Sequence, residues 1–155
     1  QVLSSALKTF LASESPRYDF VFIDSPPSLG LLTVNALVAA NEVLVPIQCE
    51  YYALEGVTQL ISNIERVKKA LNPALDVSAI LLTMFDNRTN LSSDVANEVR
   101  KFFPKQTLGA TIPRSVRLSE APSFGQTAIT FDPKNSGTLA YQEAAIELAQ
   151  RGDHK

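Results

Sequence analysis

Short apolar runs alternate along this chain with segments that are apolar at every third or fourth residue. The runs Tyr18 to Asp24, Val43 to Ile47, Val77 to Met84 and Leu108 to Ile112 are too short and too rich in β-branched and aromatic residues for helices, and they predict buried strands. Between them the spacing predicts helices over the opening residues through Leu11, Leu31 to Ala40, Ala53 to Leu71, and a segment capped by Ser92 or Ser93 that runs to Phe102 or Phe103 with Val95, Val99 and Phe102 facing inward. Pro113 to Pro133 predicts irregular chain apart from a short strand at Thr127 to Phe131, and Ser136-Gly137 opens a last helix, Thr138 to Gln150. Strands joined by helical crossovers run parallel. Right-handed crossovers then give a three-layer α/β sheet, helices on both faces, with its chemistry at the carboxyl ends of the strands.

The 155 residues, 45% of them hydrophobic, are the size of one domain with its own core, and a single domain over 1–155 is expected. A net charge of −2 excludes a strongly basic nucleic-acid arm, and no apolar run approaches the roughly 18 residues of a membrane span. A cytoplasmic protein without membrane attachment is expected. Cys49 is the only cysteine, which excludes an internal disulfide, and the only histidine, His154, lies in the terminal Arg-Gly-Asp-His-Lys; these counts remove most imidazole and thiolate-metal chemistry. The chain opens at Gln1, inside a helix-period segment and without a Met, so a piece of a longer protein is expected.

Phe20-Val21-Phe22-Ile23-Asp24 puts a carboxylate at the end of an apolar run, where a Mg²⁺ beside a nucleotide would be held by one or two carboxylates and water. An aspartate there serves equally well as a turn cap. The two prolines of Ser25-Pro26-Pro27-Ser28-Leu29-Gly30 restrict the following loop to few shapes, which suits a loop beside a ligand. None of the six glycines begins a Gly-Lys pair, and no Gly-x-Gly-x-x-Gly occurs, so the phosphate-gripping half of a nucleotide site is not in this sequence.

Four segments in register resemble the ParA (Soj-type) chromosome- and plasmid-partitioning ATPases: Phe22 to Gly30 with Leu32 to Leu37, Pro46 to Gly56, Leu81 to Leu91, and Ile112 to Ser123. Together they span about Tyr18 to Arg151. The resemblance implies a P-loop-type, Rossmann-like α/β fold whose phosphate loop lies before Gln1. It implies ATP and Mg²⁺ as cofactors, with Asp24 as the catalytic Walker B carboxylate that acts on Mg²⁺ through water. Ser25, Pro26 and Pro27 would belong to the switch loop that senses the γ-phosphate, and Thr83, Met84, Pro113 and Arg114 would border the adenine. Met84 as core filler and Pro113 as a strand stop are the plain alternatives. The family's sheet sets the phosphate-loop strand between the strands ending at Asp24 and Ile47; in this chain those two are expected to close on each other, or another chain to fill the gap.

From Asp86 to Arg117 six basic residues face three acidic ones, a segment of net +3 that leaves −5 on the rest of the chain. Arg88 lies in a polar Asn-Arg-Thr-Asn loop and Arg117 just past Ser115, both able to reach a phosphate backbone. An isolated basic face is more often merely solvated. The resemblance associates these two positions with sequence-independent DNA binding by an ATP-bound homodimer on the nucleoid, with hydrolysis triggered by a ParB-like centromere-binding partner. It also suggests that Glu50, Tyr51, Tyr52 and Glu55 face a second subunit, although adjacent tyrosines are common in half-buried loops. The rivals are a MinD-like ATPase, which would want a terminal amphipathic helix, and a receiver-like domain with Asp24 as phosphoacceptor, which would want an acidic pair and a late lysine that the sequence lacks.

Overall fold

The structure is a computed structural model that describes residues 2–13, 18–26, 30–51 and 53–152. Its elements follow the order α1 (Val2–Ser13), α2 (Leu31–Ala39), β1 (Glu42–Gln48), α3 (Ala53–Ala70), β2 (Asp76–Phe85), α4 (Asn90–Phe102), β3 (Thr107–Pro113), α5 (Val116–Glu120), a 3₁₀ turn (Ala121–Phe124), α6 (Ala128–Phe131) and α7 (Ser136–Gly152). Among the described residues the sheet has three strands in the order β1-β2-β3. β2 and β3 run parallel, with Ile80 opposite Thr107, Leu82 opposite Thr111 and Phe85 opposite Pro113. The four consecutive buried residues Ala79 to Leu82 are what a central strand covered on both faces requires.

The chain divides into two compact units, Gln1–Val43 with Gln59–Val77, and Leu44–Thr58 with Ser78–Lys155. In the first, α1 packs on α2, and Ala36, Leu37, Ile64, Val67 and Leu75 are buried. α2 ends without a glycine. Instead the Asn72 amide donates to the carbonyls of Leu37 at 2.9 Å and Ala40 at 2.8 Å, satisfying groups that a helix end leaves open.

In the second unit Ala79, Leu81, Leu108 and Ile112 form a cluster with Ala140 and Ala144 of α7, whose small side chains let the helix lie close to β3. Gly137 is needed for a different close approach: a Cβ there would sit 2.5 Å from Leu118 Cδ1. The Thr138 hydroxyl, fully buried, donates to the Asp132 carbonyl at 2.8 Å. α4 turns Ser92, Val95, Ala96 and Val99 inward. Its Ser92 hydroxyl donates to the Cys49 carbonyl at 3.2 Å.

Several expectations fail for identifiable reasons. Residues 18–26 form no strand, and Phe20, Val21 and Phe22 are exposed, Phe22 by 77%. An extended run becomes a strand only when a neighbour accepts its backbone groups, and among the described residues none pairs with it; the expected closure of this run on β1 does not occur. The cap of α4 is Thr89, not Ser92 or Ser93, because the Thr89 hydroxyl accepts from Ser92 N, and Phe102 is exposed where Ala96 is buried. Residues 128–131 are helical, since the Thr127 hydroxyl caps their first turn, and 116–124 are helical too rather than irregular.

Candidate functional site

The residues singled out above fall in both units. In the first, Asp24, Ser25 and Pro26 form an exposed, non-helical approach to α2, and Pro27 lies outside the described residues. Gly30 stands at the N-cap of α2 with extended backbone, and Val34 N donates to the Gly30 carbonyl at 3.1 Å. The Thr33 hydroxyl, in the first turn, reaches back to the Pro26 carbonyl at 3.4 Å, so the helix start and the loop before it are tied. The Asp24 carboxylate makes no hydrogen bond or ion pair with the described residues, and it caps no turn. An exposed, uncommitted carboxylate fits Mg²⁺, which keeps most of its water and binds few protein ligands. Among the described residues no group of three or more His, Cys, Asp or Glu side chains is arranged to cage a metal.

In the second unit the ends of β2 and β3 are held together by Arg114 N, which donates to the Phe85 carbonyl at 2.9 Å. Thr83 is committed to the sheet, its hydroxyl donating to Ile47 O at 3.1 Å and its carbonyl accepting from Cys49 N at 2.9 Å. The next residue, Met84, has a φ of 54°, the left-handed region that a branchless glycine adopts easily and a methionine does not. Such a conformation costs on the order of 1 kcal/mol. It breaks the strand's alternation at the point where β2 meets the Asp86 turn. Cys49 is buried, and burial pushes its thiol pKa up against an opposing pull from Arg100.

Both candidate DNA arginines carry acidic partners that the sequence reading did not assign. Arg88 donates through Nε to Asp86 Oδ1 at 2.9 Å and through Nη2 to Asp86 Oδ2 at 2.7 Å, a two-pronged grip. Asp86 Oδ1 also accepts from Arg88 N at 3.0 Å, so one carboxylate shapes the turn and holds the guanidinium. The Arg88 side chain is 82% exposed, and that of Asp86 only 16%. The bonds from the Arg88 side chain and then its backbone N–H, with added charge from Arg114, hold the Asp86 carboxyl well below the usual carboxylate range. Asp86 in turn raises the Arg88 pKa.

Arg117 donates from Nε to Asp132 Oδ2 at 3.1 Å and from Nη1 to Glu120 Oε2 at 3.0 Å, and these carboxylates raise its pKa in that order. Its guanidinium carbon also sits 4.7 Å from the centre of the Phe131 ring, which stacks on Phe124 at 5.2 Å. The signal for the first pair was present as Asp86-Asn87-Arg88, because an aspartate two residues before a turn residue accepts its backbone N–H. Glu120 lies three residues after Arg117 on a helical turn, whereas Asp132 is brought in only by the fold. Tyr51 is exposed, and Tyr52 lies outside the described residues.

A family model described as an AAA domain matches residues 2–77. The chromosome partitioning protein ParA of Myxococcus xanthus is 51% identical over 149 residues, which cover 96% of this chain and 53% of that protein. The chain is a homologue of the ParA/Soj chromosome-partitioning proteins. It spans about half the length of the curated relatives it matches. Among solved structures, cobyrinic acid a,c-diamide synthase from Mycobacterium smegmatis with bound ATP analog and magnesium has a TM-score of 0.72 at 37% identity, covering 95% of this chain and 53% of that one. The cell division ATPase MinD of Pyrococcus furiosus, 21% identical, has a TM-score of 0.74 over 96% of this chain and 57% of its own, a likeness of fold. The chain therefore has the α/β fold of the P-loop ATPases. Among its described residues no helix is long and apolar enough to cross a membrane.

Proposed function

We propose that the protein carrying this sequence is an ATP-hydrolysing DNA-partitioning protein of the ParA/Soj type. The observation that carries the reading is 51% identity to a ParA protein across 96% of this chain, including all four motif segments. In this reading Asp24 holds Mg²⁺ through water, Ser25 to Pro27 respond to the γ-phosphate, and Thr83, Met84, Pro113 and Arg114 border the adenine. The uncommitted Asp24 carboxylate and the strained Met84 support those assignments, while the Thr83 hydroxyl, whose proton is donated to Ile47 O, can meet a base only as an acceptor. Bound Mg²⁺ would supply charge neutralisation for attack of water on the γ-phosphate. ATP would drive homodimerisation, the dimer would bind DNA without sequence preference through Arg88 and Arg117 on the nucleoid, and a ParB-like partner would stimulate hydrolysis.

The 155 residues alone are expected neither to bind ATP tightly nor to hydrolyse it, because most nucleotide affinity comes from a glycine-rich phosphate cradle and this sequence has none. In the full-length protein Asp24→Ala should abolish turnover while the far-UV circular dichroism stays unchanged. Turnover equal to wild type would remove Asp24 from the metal site. Micromolar ATP affinity of the 155-residue chain in calorimetry would overturn the division of labour.

A further inference from the structure

The two arginines assigned to the DNA phosphates do not present free charge. Asp86 grips Arg88 with two bonds of 2.9 and 2.7 Å, and Asp132 and Glu120 hold Arg117 at 3.1 and 3.0 Å. The pairs are asymmetric: at the first the carboxylate is largely covered and the guanidinium faces water. A guanidinium has five N–H donors, and a two-pronged carboxylate occupies two of them, so the outer edge of Arg88 remains able to donate. Geometry for a phosphate is therefore kept while the net charge at the position is brought to zero.

We propose that Asp86, and at the second position Asp132 with Glu120, are positioning residues that fix the guanidinium groups outward and at the same time attenuate their attraction for polyanions. The inference rests on the reading of Arg88 and Arg117 as phosphate-backbone ligands. The chemistry it names is local. An incoming phosphate must share the arginine with a carboxylate already in place, and pays the repulsion between the two anions, so affinity is held below what two free arginines would give. A reversible, sequence-independent grip on DNA is the result.

Asp86→Asn separates the two parts of this role, because an Asn oxygen still accepts from Arg88 N and preserves the turn while the negative charge is removed. In the full-length protein with ATP, Asp86→Asn should tighten binding to random duplex, approaching about eightfold at about 0.1 M salt, and steepen the salt slope by up to about 0.9 per DNA-bound subunit. Glu120→Gln with Asp132→Asn should do the same through Arg117, and serves if Asp86→Asn fails to fold. The gain from Asp86→Asn should shrink below twofold in an Arg88→Ala background.

Affinity within twofold of wild type, or weaker, in a folded Asp86→Asn protein would overturn the proposal. So would a full gain that survives Arg88→Ala, since the carboxylate would then act elsewhere. If the wild-type protein binds no DNA, the reading of the surface as a DNA interface fails, and the salt needed to elute wild type and Asp86→Asn from immobilised heparin decides the carboxylate's role by itself. Later elution of the variant sustains the attenuation; coincident elution ends it.

Discussion

Arg151 closes the amino-terminal edge of the sheet, and replacing it with Met tests how much that closure contributes. Its Nη1 lies 3.2, 3.1 and 3.0 Å from the carbonyls of Ser78, Lys105 and Gln106, and its Nη2 lies 3.3 Å from the Thr107 carbonyl and 2.7 Å from Glu147 Oε1. The two nitrogens carry four hydrogens between them, so the five contacts are at most four bonds. A bond to a charged donor is worth about 1.5–3 kcal/mol where water is excluded. Here the side chain remains 30% exposed, and screening by water brings the sum down to about 2–3 kcal/mol.

A second consequence is local. Glu147, held by Arg151, accepts from Gly109 N at 2.9 Å and Ala110 N at 3.3 Å, so the carboxylate stands where a further strand would otherwise pair with β3. Arg151→Met should lower the urea midpoint accordingly, with the slope unchanged, and speed amide exchange at Gly109 more than at buried Leu108. Arg151→Lys should recover less than half, because a single ammonium in the place of Nη1 leaves the Thr107 carbonyl and Glu147, which Nη2 serves, without their donor. A loss under about 0.5 kcal/mol together with unaltered exchange at Gly109 would refute the reasoning, since it would show water serving these groups as well as the guanidinium does.

Two further expectations concern the arginine pairs. Substituting Arg88 and Arg117 by Glu in the full-length protein should lower the salt slope for random duplex, by at most about 0.9 for each lost phosphate contact because both arginines are already paired with carboxylates, and weaken all sequences alike; nucleotide affinity is measured on the same variant because Arg114 lies beside this turn, and a loss confined to one sequence would indicate base readout. For Asp86 the folded pKa is depressed, so its contribution to stability is complete above the unfolded value of about 3.9 and is lost as pH falls from there through the lower folded value. Asp86→Asn should flatten that acid dependence of the urea midpoint, and a carboxyl carbon of Asp86 titrating near 4 in the native protein would contradict it.

The strands and helices of the sheet region were legible because their signals are local. Val43 to Ile47, Val77 to Met84 and Leu108 to Ile112 carry apolar runs of strand length, each preceded by a polar residue, and the structure extends each by one residue at either end. The cap of α4 went to Thr89 rather than to either serine because both serines are already inside the first turn, where Ser92 is turned inward to the Cys49 carbonyl. At Thr127 to Phe131 the β-branched residues Thr130 and Ile129 favour a strand, but four residues between a capping threonine and the Asp132 turn have no partner strand among the described residues and close a helical turn instead. Propensity yielded to hydrogen-bond supply.

The same rule governs the part of the candidate site that read least well. Tyr18 to Asp24 has the composition of a strand covered on both faces, yet Phe22 and Val21 face water and the segment joins no ladder among the described residues. Composition records how a segment is best buried. It does not supply the neighbour. Asp24 accordingly rests at the end of an unpaired, exposed run, whereas Met84 and Pro113 stand at the ends of strands locked together by Thr83 to Ile47 and by Arg114 to Phe85. Without a ladder to fix its backbone, the Asp24 carboxylate is free to meet a hydrated Mg²⁺ but is not held in one geometry, and productive positions demand support within a fraction of an ångström. Pairing of the Phe20 to Asp24 run with another strand is therefore the step that would convert a legible motif into a working Mg²⁺ ligand, and loss of amide exchange at Val21 and Ile23 would be its direct signature.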